Sequence, residues 1–332
     1  MNSVISHIEY VLPDQLVVND ELTVTGTRWT PEEITNKTGI TKRFVVDTQT
    51  TASDLAFQAA SKIVGSIVAA DSIDLLIFCT QSPDYVLPTT ACLLQHRLGL
   101  PTNCAAFDFN LGCSGYVYGL SIVQSMIRAG HAKRALLLTG ETYSKYFDRS
   151  DFSVASIFGD AGTATLIDAG DSTEETIGPF IFGTDGSGGD RLIVGGSGAR
   201  PLKDDPILVR VPENAKTKLF MDGPEIFAFT MRTIQSTLET FFAKHGWTWN
   251  DFDRIVFHQA NKFMLDNLRV QCGIPSEKFI VRMENVGNTV SNTIPIVLAE
   301  LQHENALKSG DRLLLVGFGV GYSWAACALT WK

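Results

Sequence analysis

Three short stretches bring an apolar run to a side chain that can do chemistry: Phe109-Asn110-Leu111-Gly112-Cys113-Ser114-Gly115, Val256-Phe257-His258-Gln259-Ala260-Asn261 and Glu284-Asn285-Val286-Gly287-Asn288-Thr289. They supply a thiol, an imidazole and an amide. Cys113 stands between an apolar run and a helical pattern, so its sulfur is expected near the positive end of a helix dipole, where the thiolate is favoured and the pKa lowered. Gly112 and Gly115 permit the sharp strand-to-helix turn this requires. His258 closes a buried strand and opens a polar cluster at the carboxyl edge, where α/β sheets place their sites. Asn288 can donate a hydrogen bond without exchanging a proton. An imidazole and an amide aimed at one carbonyl oxygen would stabilise an enolate in a dry pocket. Each residue also has an ordinary reading, as a core cysteine, a satisfied strand-end histidine and a helix-capping asparagine.

The elements that must position these residues follow from an internal repeat. Asp74 to Cys79 reads DLLIFC and Asp253 to His258 reads DRIVFH. Gly99-Leu100-Pro101 is echoed by Gly273-Ile274-Pro275, Gly112-Cys113-Ser114 by Gly287-Asn288-Thr289, and Arg134-Ala135-Leu136-Leu137 by Arg312-Leu313-Leu314-Leu315, all in one order and offset by 174 to 179 residues. Near-constant offsets mark a duplication, with halves expected at residues 1–175 and 176–332. Leu75–Cys79, Cys104–Phe109, Ala135–Thr139, Thr163–Ile167, Ile255–Phe257, Phe279–Val281 and Leu313–Val316 are short, nearly all-apolar runs, as expected for strands buried on both faces. Helical patterns lie between them, from Ser114 to Gly130 and from the cap-and-proline signal Asp222-Gly223-Pro224 to Gly246. The fold class is therefore α/β, parallel-rich, with two halves stacked into a layered αβαβα core. Gly183–Lys218, rich in Gly, Asp and Pro, reads as connecting loops.

Composition narrows the function classes. The 332 residues are 45% hydrophobic and 19% charged, ordinary for a globular protein and enough for two cores. No apolar run is long enough to cross a bilayer and the N-terminus lacks the basic and apolar regions of a signal peptide, so a cytoplasmic protein without a membrane segment is expected. A net charge of −9 without a Lys/Arg cluster argues against nucleic acid. The six cysteines are scattered without metal-ligand spacing, so no metal is expected. The glycine-rich Gly317-Phe318-Gly319-Val320-Gly321 lacks the lysine and Ser/Thr of a phosphate loop. Its backbone N–H groups suit an oxyanion hole shared with the amide of Cys113.

With Thr38-Gly39-Ile40, Cys113-Ser114-Gly115, Ile157-Phe158-Gly159-Asp160, His258-Gln259-Ala260-Asn261, Gly287-Asn288-Thr289 and Gly317-Phe318-Gly319-Val320-Gly321 in this order and spacing, the chain resembles the β-ketoacyl-acyl carrier protein synthase III family of the thiolase superfamily. The resemblance implies a homodimer of thiolase-like folds acting in fatty acid or polyketide-like lipid metabolism. It implies that Cys113 is acylated by a starter thioester and that the acyl group condenses with malonyl-acyl carrier protein as carbon dioxide leaves. His258 and Asn288 would stabilise the carbanion, and the backbone amides of Cys113 and Val320 the thioester oxygen. Leu87 and Phe158 would line the acyl pocket, Leu87 by reaching into the partner. The substrates are pantetheine thioesters, from acyl carrier protein or acyl-coenzyme A, with no other cofactor.

Glu33 and Phe152 replace a tryptophan and an arginine of the family's adenine clamp; Phe263 and Ala228 replace basic residues, and Pro224 an asparagine of the pantetheine tunnel. These departures imply a divergent member with an altered donor. Trp29, Lys37 or Arg149 would compensate for Glu33 at a nucleotide, and Lys262 and Arg269 are the remaining candidates for docking an acidic carrier protein. The C-terminal glycine loop lacks the second cysteine of degradative thiolases, and Thr80-Gln81-Ser82 lacks the glutamate of hydroxymethylglutaryl-type synthases. Two alternatives remain: acyl transfer from Cys113 to an oxygen or nitrogen acceptor with His258 as general base, and a non-catalytic partner subunit.

Overall fold

In the computed structural model, which describes residues 2–23, 29–170 and 175–332, the apolar runs form the middles of two five-stranded sheets. The first contains β1 (Asn2–Val11), β2 (Leu75–Cys79), β3 (Ala105–Phe109), β4 (Arg134–Glu141) and β5 (Ala161–Gly170), in the order β1-β5-β4-β2-β3. The second contains β6 (Ile177–Thr184), β7 (Arg254–Phe257), β8 (Phe279–Ile280), β9 (Arg312–Gly319) and β10 (Ser323–Thr330), in the matching order β6-β10-β9-β7-β8. The repeated segments DLLIFC and DRIVFH thus become β2 and β7, each beside an equivalent neighbour. β2 runs parallel to β3 and β4, as β7 does to β8 and β9. β1, β5, β6 and β10 join antiparallel, so the sheets are mixed rather than parallel-rich. Chain connectivity requires this in the second half, because only a tight turn separates Gly319 from Ser323, and short connections join antiparallel strands.

Seven of the nine α-helices among the described residues, the two short ones Asn19–Thr23 and Phe152–Ala155 aside, complete the framework: α1 (Pro31–Thr38), α2 (Ala52–Ser61), α3 (Thr90–Arg97), α4 (Gly115–Arg128), α5 (Gly223–His245), α6 (Lys262–Gln271) and α7 (Thr293–His303). α2 and α3 cover the outer face of the first sheet, and α5 covers that of the second, with α6 packed against it. α4 and α7 lie between the sheets, completing the αβαβα layering. A helix sandwiched this way must be apolar on more than one side, and α7 carries the buried run Ile294-Pro295-Ile296-Val297-Leu298-Ala299. Strand alternation divides the core accordingly. Leu75 and Ile77 pack in the layer between the sheets, while Leu76 and Phe78 pack under α2 and α3.

The stretch expected to be loops is not all loop. Leu192–Val194 pairs antiparallel with Leu219–Met221, a short ribbon whose Leu192 is buried at the site. α5 has the expected boundaries: the Asp222 carboxylate accepts from Glu225 N–H, Pro224 lies in the first turn, and Gly246 ends the helix in the left-handed conformation.

Candidate active site

The turn between β3 and α4 puts Cys113 immediately before the capping residue Ser114. β9 presses against it from the second half. A Cβ on Gly319 would lie 2.9 Å from both Cβ and Sγ of Cys113, and one on Gly317 would lie 2.8 Å from the Cys113 carbonyl, so only glycine fits at both places. The hydroxyls of Ser114 and Ser323, 2.6 Å apart, fasten the turn to β10.

His258 emerges from the end of β7. Its Nδ1 lies 2.8 Å from Thr293 Oγ1 and its Nε2 3.4 Å from Asn288 Nδ2, and Phe318 meets the ring edge-on at 5.6 Å. Thr293 Oγ1 is also 3.2 Å from the Val290 carbonyl. A hydroxyl has one proton to give: when Thr293 donates to Nδ1, the ring proton sits on Nε2 and faces Asn288; when it donates to Val290, Nε2 presents a lone pair. Asn288 is fixed by its backbone, which donates to Ile157 O (2.9 Å) and accepts from Gly159 N–H (3.0 Å). Its side-chain oxygen accepts from Val290 N–H at 2.9 Å, which turns Nδ2 toward His258 and the Ala260 carbonyl.

Cys113, His258 and Asn288, all buried, line one cavity of about 380 Å³. Ile157, Phe158, Leu192, Met221, Pro224, Phe227 and Phe318 make most of its wall apolar. Burial pushes the His258 imidazole down to about 3, so the ring is neutral at rest. Burial also pushes the Cys113 thiol up to about 12, aided by the carboxyl of Glu141. The expectation of a lowered thiol pKa is therefore corrected. The sulfur precedes the first turn of α4, where the partial charge of the helix end is too weak to offset desolvation. Two backbone N–H groups, those of Cys113 and Val320, hydrogen-bond the sulfur and pull the other way.

Reasoning from sequence missed Thr293, which sets the histidine tautomer, and Glu141. The Glu141 carboxyl is fully buried and accepts from Gln81 N–H (3.1 Å), Ser82 Oγ (3.2 Å) and, across the two halves, Ser291 Oγ (2.9 Å). Burial pushes it up to about 8. A glutamate ending an otherwise apolar strand was its only trace in the sequence.

The other expected residues divide. Phe158 lines the cavity beside Asn288. Leu87 lines no described cavity and stands 80% exposed beside Val86 and Tyr85. Lys262 opens α6 near the cavity mouth and pairs with Asp266, while Arg269 lies in the last turn of the same helix, bonded to the Ile274 carbonyl at 3.4 Å. A second cavity at the mouth is lined by Trp29, Lys37, Phe152, Asn261 and Phe263. Lys37 Nζ sits 3.5 Å above the Trp29 ring, and Phe152 meets that ring edge-on. Arg149 faces different cavities, so it does not join them. Glu33 is occupied in capping α1, accepting from Thr30 N–H at 2.8 Å.

Two family models match the chain, 3-oxoacyl-[acyl-carrier-protein] synthase III over residues 107–186 and its C-terminal part over residues 242–331. A β-ketoacyl-[acyl-carrier-protein] synthase III of Clostridium perfringens is 37% identical over 324 residues, 96% of this chain and 95% of its own. A crystal structure of a 3-oxoacyl-(acyl-carrier-protein) synthase III superposes with a TM-score of 0.93 at 45% identity, covering all of both chains. A 3-oxoacyl-(acyl-carrier-protein) synthase from Burkholderia xenovorans LB400 gives 0.92 at 37% identity, covering 100% of this chain and 95% of its own. The repeated topology, the shared cavity and these likenesses over nearly the full length lead to one conclusion: the chain belongs to the β-ketoacyl-[acyl-carrier-protein] synthase III family, acyltransferases of thiolase-like fold.

Proposed function

We propose that the protein condenses a Cys113-bound acyl group with malonyl-acyl carrier protein, releasing carbon dioxide and a β-ketoacyl thioester. The observation that carries the residue roles is the meeting of Cys113, His258 and Asn288 in one largely apolar cavity. In the first half-reaction the sulfur attacks the starter thioester and its proton passes to His258 Nε2 in the lone-pair form. The tetrahedral oxygen is held by the N–H groups of Cys113 and Val320, the carbon–sulfur bond to pantetheine breaks, and the departing thiolate takes the proton. In the second half-reaction the malonyl carboxylate leaves as carbon dioxide and its bonding electrons move onto the thioester oxygen as an enolate. His258 Nε2–H, in the tautomer Thr293 supports by donating to Nδ1, and Asn288 Nδ2–H donate to that oxygen. The enolate carbon attacks the acyl carbonyl, and Cys113 leaves as thiolate and is reprotonated.

The donor is an acyl-coenzyme A or an acyl carrier protein thioester. Lys262 at the mouth is the better-placed docking residue, and Arg269 extends the same helix. The active unit is a cytoplasmic homodimer in which Leu87 enters the partner's acyl site, and the two halves, 1–175 and 176–332, are the folding units that enclose the cavity between them. Intact-mass measurement after exposure to panels of acyl-coenzyme A and acyl carrier protein thioesters tests the core of this reading. Wild-type protein is expected to gain one acyl mass and Cys113→Ala none; an undiminished adduct on Cys113→Ala removes the nucleophile assignment.

A further inference from the structure

The apolar cavity cannot serve the whole reaction, because the acyl group must stay on the sulfur while a second thioester arm comes in by the same route. A separate cavity of about 220 Å³ lies beside the turn that carries Cys113, with Gln81 and Val320 in its wall. Its wall includes Val320, whose N–H reaches Cys113 Sγ, and Leu192, which also lines the first cavity. Gln81 Oε1 and Val320 Cγ1 crowd the position of Gly112, the residue before the nucleophile, at 2.4 Å and 2.7 Å from where its Cβ would be. This second space is unlike the first. Its lining includes Gln81, Asn110, Tyr143, Tyr146 and Ser197.

The polar groups are arranged with capacity to spare. The Tyr143 hydroxyl donates to Gln81 Oε1 at 2.6 Å, and Gln81 Nε2 donates to Asn110 Oδ1 at 3.0 Å, which leaves the second Nε2 hydrogen without a partner among the described residues. The Tyr146 hydroxyl donates to the Gln81 carbonyl at 3.3 Å and also hydrogen-bonds Ser82. Asn110 Nδ2 makes no hydrogen bond among the described residues. An all-alkyl chain placed here would strip water from Gln81 Nε2 and Asn110 Nδ2 and return no hydrogen bond. A hydroxyl or oxo oxygen on the chain would accept from Gln81 Nε2–H and Asn110 Nδ2–H.

Resting on the reading of Cys113 as nucleophile, we propose that the Gln81, Tyr143, Tyr146 and Asn110 cavity selects a short starter acyl group bearing a hydroxyl or oxo oxygen over the plain alkyl chain of the same length. The test offers matched pairs, butanoyl against 3-hydroxybutanoyl and 3-oxobutanoyl, and hexanoyl against 3-hydroxyhexanoyl, as coenzyme A and carrier-protein thioesters. The readout is the rate of the Cys113 adduct by intact mass. Within each pair the oxygenated group is expected to acylate on the order of 10-fold faster or more, since sites built to bond an oxygen reject the analogue lacking it. In Gln81→Leu and in Tyr143→Phe, the latter keeping the ring against Phe158, that ratio is expected to fall to about one. Equal or faster acylation by the alkyl members, or a ratio indifferent to both substitutions, overturns the proposal while leaving the nucleophile in place. Adducts with none of the panel remove the nucleophile reading itself.

Discussion

At the residue scale the site is a set of neutral groups kept neutral by burial. With the thiol pushed up to about 12 and the imidazole down to about 3, the proton stays on sulfur until a substrate arrives, which protects the thiol from idle oxidation. Asn288→Ala is expected to retain Cys113 acylation yet lose decarboxylation by roughly 100-fold or more, the worth of a donor to a developing oxyanion, and His258→Ala, which also removes the acceptor of the Cys113 proton, to lose as much and to acylate more slowly. Labelled malonyl thioester reports the loss as carbon dioxide; unaltered release in both variants takes the enolate role away from them. Glu141 gives a stability signature. Its carboxyl is raised from an ordinary 4.5 to about 8 by burial, so between these pH values the unfolded chain has released a proton that the native protein keeps. Fewer protons on the unfolded state make unfolding easier as pH rises, so stability falls across that window. Glu141→Gln mimics the neutral acid and is expected to flatten the fall in denaturant unfolding run from pH 5 to pH 8. A variant that keeps the wild-type slope assigns the slope to another group.

At the scale of elements, the side chains proposed for catalysis are positioned by strand ends and the turns after them. β3 delivers Cys113, β7 delivers His258, and the turn before α7 delivers Asn288. That last turn holds Val290 at φ 58°, a left-handed conformation costly for a β-branched residue. Val290 N–H in return fixes the amide oxygen of Asn288, so the strain sits where it orients a donor. β9 contributes by what it lacks. The 2.9 Å clearance from Gly319 to Cys113 leaves no room for a methyl group, so Gly319→Ala is expected to shift the sulfur and slow acylation at least about 10-fold in stopped-flow or quenched mass measurements. Acylation at the wild-type rate would show that β9 and the nucleophile turn can part without consequence.

At the scale of the molecule, the duplication gives two sheets with one topology facing across α4 and α7, and it aligns the strand ends of both halves on one cavity. The exposed trio Tyr85, Val86 and Leu87, each at least 60% exposed, is left without cover within the single chain. Contiguous apolar exposure of this kind marks an interaction surface. Sedimentation is expected to give twice the mass of the chain, and Leu87→Asp to weaken the association and slow acylation together. A stable wild-type monomer with full activity would remove the partner's Leu87 from the site.

The repeat, the strand positions and the candidates Cys113, His258 and Asn288, which share one cavity, were legible in the sequence, because buried strands leave short apolar runs and reactive residues at their ends break the pattern. The antiparallel half of each sheet and the ribbon strand Leu192–Val194 were not. Pairing direction and edge pairing depend on where distant segments meet. The thiol's pKa was misjudged for the same reason: proximity to a helix start is local information, whereas desolvation and the nearby Glu141 come from parts of the chain distant in sequence. Only the tertiary structure placed Thr293 on His258 Nδ1 and gathered Gln81, Asn110 and Tyr143 into one cavity, since hydrogen bonds between residues tens of positions apart leave no periodic mark in the chain that makes them.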